Sequence, residues 1–280
     1  MTRSRRKTGG LRRILRWGLR ILLLIMVVDL VYVATLWPNW QQLAKGPIPK
    51  SRFMEHYLAV RAAKHWPPMR WDPVPISQIP LAMQRAVIVA EDDSFYENDG
   101  FDFAAIKDAF DYNLEKGHIV FGASTISQQT VKNLFLTPSR NPIRKWHEAL
   151  LTWGLGHHLT KRRILEIYLN TAEFGRGIYG VEAASEAYWG IPVSQLTVVQ
   201  AAELAASLPS PVRNNPAHRG IFFVHHAEKI LNLLARQFEI PPESQDTGLN
   251  ENRPVFPAPP AGSNGPAPVE DRSSGPLRTI

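Results

Sequence analysis

The sequence predicts a mainly α-helical domain tethered behind one amino-terminal transmembrane helix. Three observations predict it. The run from Trp17 to Trp37, WGLRILLLIMVVDLVYVATLW, matches the roughly 20 apolar residues that one bilayer crossing needs. Apolar residues then recur at helical spacing over most of residues 77–238. The alternation that marks half-buried strands is scarce. A chain of 280 residues with 44% hydrophobic content suits one sizeable domain with appendages.

Net charge at first suggests a nucleic-acid binder. Of 32 basic and 25 acidic residues, residues 1–37 hold eight basic and one acidic, Asp29, which leaves 24 of each sign elsewhere. The basicity belongs to the arm at residues 1–16 and the start of the span, so no nucleic-acid partner is expected. Because the positive charge precedes the span, the amino terminus is expected in the cytoplasm and the domain outside. A cleaved signal peptide is the rival reading, but the apolar run is longer than a usual signal core and no clear small-x-small site follows. Asp29 falls near mid-span, where a carboxylate costs a few kcal/mol and needs a reason, either protonation or a partner helix. The chain has no cysteine, which excludes disulfides, thiolate metal sites and a thiol nucleophile.

Beyond the span at 17–37, residues 38–77 are rich in proline and aromatics. They read as a membrane-proximal connector with one helical piece near Phe53–Lys64. The main domain is expected over 78–240. Ser77 is a candidate cap and Pro80 suits the first turn of a helix through LAMQRAVIVAEDD. Further helices are expected near 102–116, 125–136, 141–159, 161–171, 178–189, 194–207 and 218–238. Residues 241–280 are mostly proline, glycine, serine and charge, which predicts a disordered tail.

Five clusters carry candidate chemistry. Glu91-Asp92-Asp93 ends an apolar helix, where a half-desolvated carboxyl can serve as a base, although an acidic helix end running into solvent looks the same. In Gly122-Ala123-Ser124-Thr125-Ile126-Ser127-Gln128-Gln129, a hydroxyl caps a new helix. Gln128, Gln129 and Lys132 then fall near one face, with Asn133 following. Free amides at a helix start, with a lysine, suit phosphate and sugar hydroxyls. Arg140, Arg144, Lys145 and Glu148 form a basic cluster closed by an acid, which reads as a helix-surface ion pair or as a pyrophosphate clamp. The run Lys161–Asn170 reads chiefly as core, and the glycines of Gly175–Gly180 mark a turn into another helix.

In order, these clusters resemble the glycosyltransferase domain of peptidoglycan synthases, including penicillin-binding proteins. The family pattern E-D-x-x-F-x-x-H-x-G appears as EDDSFYENDG and G-x-S-T-I-x-Q-Q-x-x-K-N as GASTISQQTVKN. The later motifs read RKWHE, KRRILEIYLN and GIYGVEAAS, and the resemblance covers roughly Ile79 to Phe238. With a basic arm, one span and no second enzyme domain, the chain is most similar to monofunctional biosynthetic peptidoglycan transglycosylases. The resemblance implies a lysozyme-like helical lobe with a smaller membrane-facing lobe. It implies an inverting transfer that polymerises lipid II onto a growing lipid-linked glycan, with release of polyprenyl pyrophosphate. It assigns Glu91 as general base and Glu148 as organiser of the donor site. Lys132, Arg140, Arg144 and Lys145 would meet the pyrophosphate, while Ser124, Gln128, Gln129 and Asn133 would line the cleft. A divalent cation, Mg or Mn, is compatible with the donor, and cell-wall synthesis or division proteins are compatible partners.

Two positions depart from the family. Its histidine is Asn98 here, and the acid five residues before Lys161 is Gly156. These leave a second reading, a weak or inactive relative serving as a membrane scaffold. A lysozyme-like hydrolase is a third reading, but hydrolysis needs a carboxylic acid for a poor leaving group, whereas pyrophosphate needs mainly cations.

Overall fold

The computed structural model describes residues 7–117, 122–138 and 142–238. Among them the chain forms eleven α-helices and three very short strands. Helix α1, Lys7–Leu36, is long and apolar. It is the one described helix that could cross a membrane by length and composition, with a mean hydropathy of 2.3 in its most apolar window. Most of its large side chains are exposed, as a lipid-facing helix requires. Its last turns behave differently. Val33 is buried, and Asp29 hydrogen-bonds His147 Nε2 at 2.7 Å. The partner expected for Asp29 therefore lies in the same chain.

The segment expected as a connector is folded into the domain. It forms α2 (Trp40–Lys45), α3 (Arg52–Val60) and β1 (Arg70–Trp71). Asn39 and Ser51 cap the two helices. Trp40 and Leu43 of α2 enter the main core, and Met54 and Tyr57 of α3 form a smaller one with Tyr179. Strand β1 pairs in parallel with β3 (Ile178–Tyr179), which pairs antiparallel with β2 (Glu173–Gly175), giving the order β1-β3-β2.

The core is helical. Helix α4 (Leu81–Glu91) starts after Pro80, while Ser77 lies in a short 3₁₀ turn instead of capping it. Helix α4 packs against α10 (Val198–Ser207) and α11 (Ile221–Phe238). Helix α6 (Ile126–Phe135) packs against α7 (Pro142–His158) and α8 (Lys161–Thr171). Helix α9 (Val181–Trp189) follows the glycine turn, so residues 178–179, expected as helix, are strand. Ile164, Leu165, Ile167 and Leu169 of α8 are buried, and each side chain of that size contributes roughly 1.5–3 kcal/mol. On its other side α8 holds the incoming chain: Asn170 Oδ1 accepts from Val74 N at 2.8 Å, and Glu166 Oε1 accepts from Ile76 N at 2.9 Å. Helix α5 (Phe103–Lys116) stands apart with no buried residue, and leaves Phe103, Phe110 and Leu114 exposed. The expected tail at 241–280 lies outside the described residues.

Candidate functional site

The site forms where α4 ends. Glu91 is its last residue and Asp92 its C-cap. Gln129 of α6 donates from Nε2 to Glu91 Oε2, and the Gln129 carbonyl oxygen accepts from Tyr168 Oη of α8 at 3.0 Å. Burial raises the Glu91 carboxyl above its usual range, against the Gln129 hydrogen bond and the Lys132 charge that pull it down. Burial also holds the Tyr168 hydroxyl well above its usual range, so it remains a donor. Lys132, one turn beyond Gln128 and Gln129, is pushed down by burial despite the charge of Glu148. A raised carboxyl facing a lowered lysine is the pattern of a site tuned for proton transfer and anion binding.

Helix α7 brings the second acid. Glu148 is 2% exposed. It is bound by Lys145 and lies 4.0 Å from the Arg144 guanidinium. Lys145 also donates to Ser124 Oγ at 3.1 Å, joining the start of α6 to α7. Arg144 Nε is buried with no hydrogen-bond partner among the described residues. Glu148 thus holds Lys145 and Arg144 close together at the start of α7. Arg140 lies outside the described residues.

The α6 motif divides its labour. Thr125, not Ser124, is the N-cap, and Gln128 completes the capping box: its carbonyl oxygen accepts from Thr125 N at 3.0 Å while Thr125 Oγ1 accepts from Gln128 N. Gln128 is buried in that role, whereas Gln129 and Lys132 face Glu91. Asn133 is half-buried on the same helix.

Three contributors were not singled out by sequence. Asp92 Oδ2 accepts from Ile126 N at 3.0 Å, so the neighbour of Glu91 also holds the start of α6. Lys161 Nζ donates to Asn98 Oδ1 at 3.0 Å and lies 4.6 Å from the Phe95 ring centroid. Tyr168 was hidden in an apolar run that reads as core. Its place one residue after Ile167 was a weak signal, since a buried hydroxyl needs a partner. Asn98 occupies the histidine position without breaking the loop. It donates to Asp92 Oδ1 at 2.8 Å and accepts from Gly100 N and Lys161. Gly156 lies beside the Asp99 carbonyl, where an added Cβ would stand at 3.4 Å.

A cleft of about 700 Å³ opens beside Glu91, between the loop from Asp92 to Asp102, α5 and Gly122–Thr125. Its described lining contains Asp93, Glu97, Asp102 and Asp108 but no lysine or arginine. Lys132, Arg144 and Lys145 gather around Glu148, and Lys145 reaches the edge of the cleft through Ser124. Glu91 thus lines an acidic cleft and has Lys132 near it. No group of three His, Cys, Asp or Glu able to hold a metal occurs among the described residues, and Glu148 is engaged by two cations.

Comparison with known proteins agrees with the helical fold. Residues 53–237 match the family model described as Transglycosylase. The match begins inside the segment expected as a connector, in keeping with its packing. A biosynthetic peptidoglycan transglycosylase of Azoarcus sp. (strain BH72) is 47% identical over 169 residues, covering 60% of this chain and 72% of the relative. The same-named protein of Nitrosospira multiformis is 43% identical over 202 residues, covering 70% and 86%. That of Janthinobacterium sp. (strain Marseille) is 37% identical over 219 residues, covering 76% and 91%. The helical domain, its paired acids and these relatives converge, and the chain belongs to the transglycosylase family.

Proposed function

We propose that this transglycosylase polymerises lipid II, with Glu91 as the general base and the cations around Glu148 as the pyrophosphate site. The observation that carries the reading is the buried carboxyl of Glu91 at the cleft, with Lys132 near it and the cations of Glu148 reaching the cleft edge at Ser124. The acceptor brings a neutral 4-hydroxyl to Glu91 and tolerates the carboxylates around it. The donor's pyrophosphate is part of the reacting bond and is drawn to Lys132, Arg144 and Lys145, with Arg140 assigned to the same task by resemblance.

The steps follow from these placements. Glu91 takes the proton of the acceptor 4-hydroxyl as its oxygen attacks the donor anomeric carbon from the face opposite the pyrophosphate. The C–O bond to pyrophosphate breaks, the configuration inverts, and the leaving group departs as an anion matched by lysine and arginine. No proton donor is needed at that oxygen, which suits an acid already held in ion pairs. Ser124 holds Lys145, and Gln129 orients Glu91. Gln128 shapes the site through the helix cap, and Asn133 is assigned to the cleft wall by resemblance.

The apolar helix α1 serves as the membrane anchor, with the amino terminus in the cytoplasm and the domain outside the inner membrane. Exposed Phe110 and Leu114 on α5, and Ile143, Trp146 and Trp153 on α7, support a domain resting against lipid. The scaffold reading draws no support from Asn98, which retains both a donor and an acceptor partner.

The test is polymerisation of lipid II by full-length protein, with glycan chains resolved on a gel. Glu91→Gln should lower the rate by about 10²–10⁴-fold, the range for losing a positioned base. The base must be ionised, and its pKa is raised. The acid limb of kcat/KM should therefore lie above the usual glutamate range, with activity lost as pH falls through it. Lys132 is lowered, so the alkaline limb should begin below the usual lysine range. Glycan chains made equally well by Glu91→Gln would sink the assignment.

A further inference from the structure

Asp29 is a carboxylate eight residues before the end of the apolar run at Trp37, and the chemistry above makes no use of it. Its partner places it near that chemistry. His147 Nε2 lies 2.7 Å from Asp29 Oδ1, and the Tyr32 ring sits 5.3 Å from the His147 ring. His147 is buried on α7 between Lys145 and Glu148.

The contact continues beyond this pair. Val33, one turn further along α1, is buried. Trp37 and Trp40 then close over Gly154, where an added Cβ would stand 3.1 Å from the Trp37 ring and 2.6 Å from Trp40. Trp40 also stacks on His158, with ring centroids 5.5 Å apart. Contacts advance in the same direction on both segments, from Asp29 with His147 to Trp40 with His158. The end of the anchor therefore runs alongside α7 in parallel. Apolar surfaces tolerate sliding and rotation, and in lipid they gain little by choosing one register. A single polar pair in such a seam selects one register, because every other leaves a polar group in an apolar setting.

We infer that Asp29 is a positioning residue for the cations around Glu148: its bond to His147 fixes the height and rotation of α7 on the anchor, and so holds Arg144 and Lys145 at the level where a lipid-borne pyrophosphate meets the domain. The inference rests on the donor assignment above. The tryptophan seam holds the far end of α7. Asp29 holds the near end, one helical turn from the cations.

The test uses the full-length protein in lipid nanodiscs, comparing Asp29→Leu, Asp29→Asn and the exchanged pair Asp29→His with His147→Asp. Two readouts are taken: KM and kcat for lipid II, and the depth of a nitroxide on Ile143→Cys. That label is unique because the chain has no cysteine. Asp29→Leu should raise KM by about tenfold, the size expected for one lost hydrogen bond, and shift the label's depth. Asp29→Asn and the exchanged pair, which keep a hydrogen bond, should stay within about threefold of the parent. If Asp29→Leu leaves KM and depth unchanged, the inference is overturned. It is also overturned if Asn and the exchanged pair fail as badly as Leu, since charge or helix insertion would then matter and not the bond. Depth is read without turnover. A depth shift alongside unchanged kinetic constants would overturn the link to the donor site, and a parent protein that makes no glycan would overturn the functional reading while leaving the docking in place.

Discussion

Asn98 illustrates how much one side chain can preserve when its identity changes. It offers an amide hydrogen to Asp92 and a carbonyl oxygen to Lys161 and Gly100. A neutral imidazole also presents one donor and one acceptor, so either residue can bridge that carboxylate and that lysine. Asn98→His should therefore retain activity within a few fold in the gel assay. Asn98→Ala leaves Asp92 and Lys161 short of a partner, and should cost about 1–3 kcal/mol in denaturant unfolding. Equal stability of the alanine variant would show that the bridge is not holding the loop. Sequence exposed Glu91, Lys132, Arg144, Lys145 and Glu148 because charged side chains in patterned clusters stand out. It did not expose Asp92 as the anchor of α6, because one acid among three has no visible partner until Ile126 is brought 34 residues back to it. Gln128 and Gln129 look alike in sequence. Only helix geometry turns one into the cap and the other toward Glu91.

Helices were legible because periodicity is a property of the segment itself, and α5 through α8 begin and end within a residue or two of expectation. Strands of two or three residues carry no alternation to read, so β1 to β3 were invisible. The proline-rich stretch hid α2, since burial of Trp40 depends on α7, more than 100 residues away. Gly180 marks the join between β3 and α9. Its φ is +81°, and an added Cβ would stand 2.9 Å from the Asn170 carbonyl oxygen. Asn170 in turn holds Val74, so crowding there reaches the incoming chain. Gly180→Ala should destabilise the fold by about 1–3 kcal/mol through strain at positive φ alone, with the close approach adding to it. The midpoint of urea unfolding measures this, and an unchanged midpoint would mean that the turn relaxes freely.

At the scale of the whole molecule, an apolar anchor carries a domain whose helices α5 and α7 leave large apolar side chains exposed. Nitroxides at Phe110→Cys or Leu114→Cys in full-length protein on vesicles should be more accessible to oxygen than to a nickel chelate. The opposite order would place α5 in water. The interior carries a different lesson. The hydrogen-bond chain Tyr168–Gln129–Glu91 joins α8, α6 and α4, segments 38 and 39 residues apart. Enzymes whose reactive groups ride on loose loops often fail on warming well before they melt, because local opening is enough. Here Glu91 is set by helices that form the core, so a small local opening should not release it cheaply. Loss of polymerising activity on heating should coincide with the main calorimetric transition, and turnover becomes a direct gauge of how many molecules remain folded.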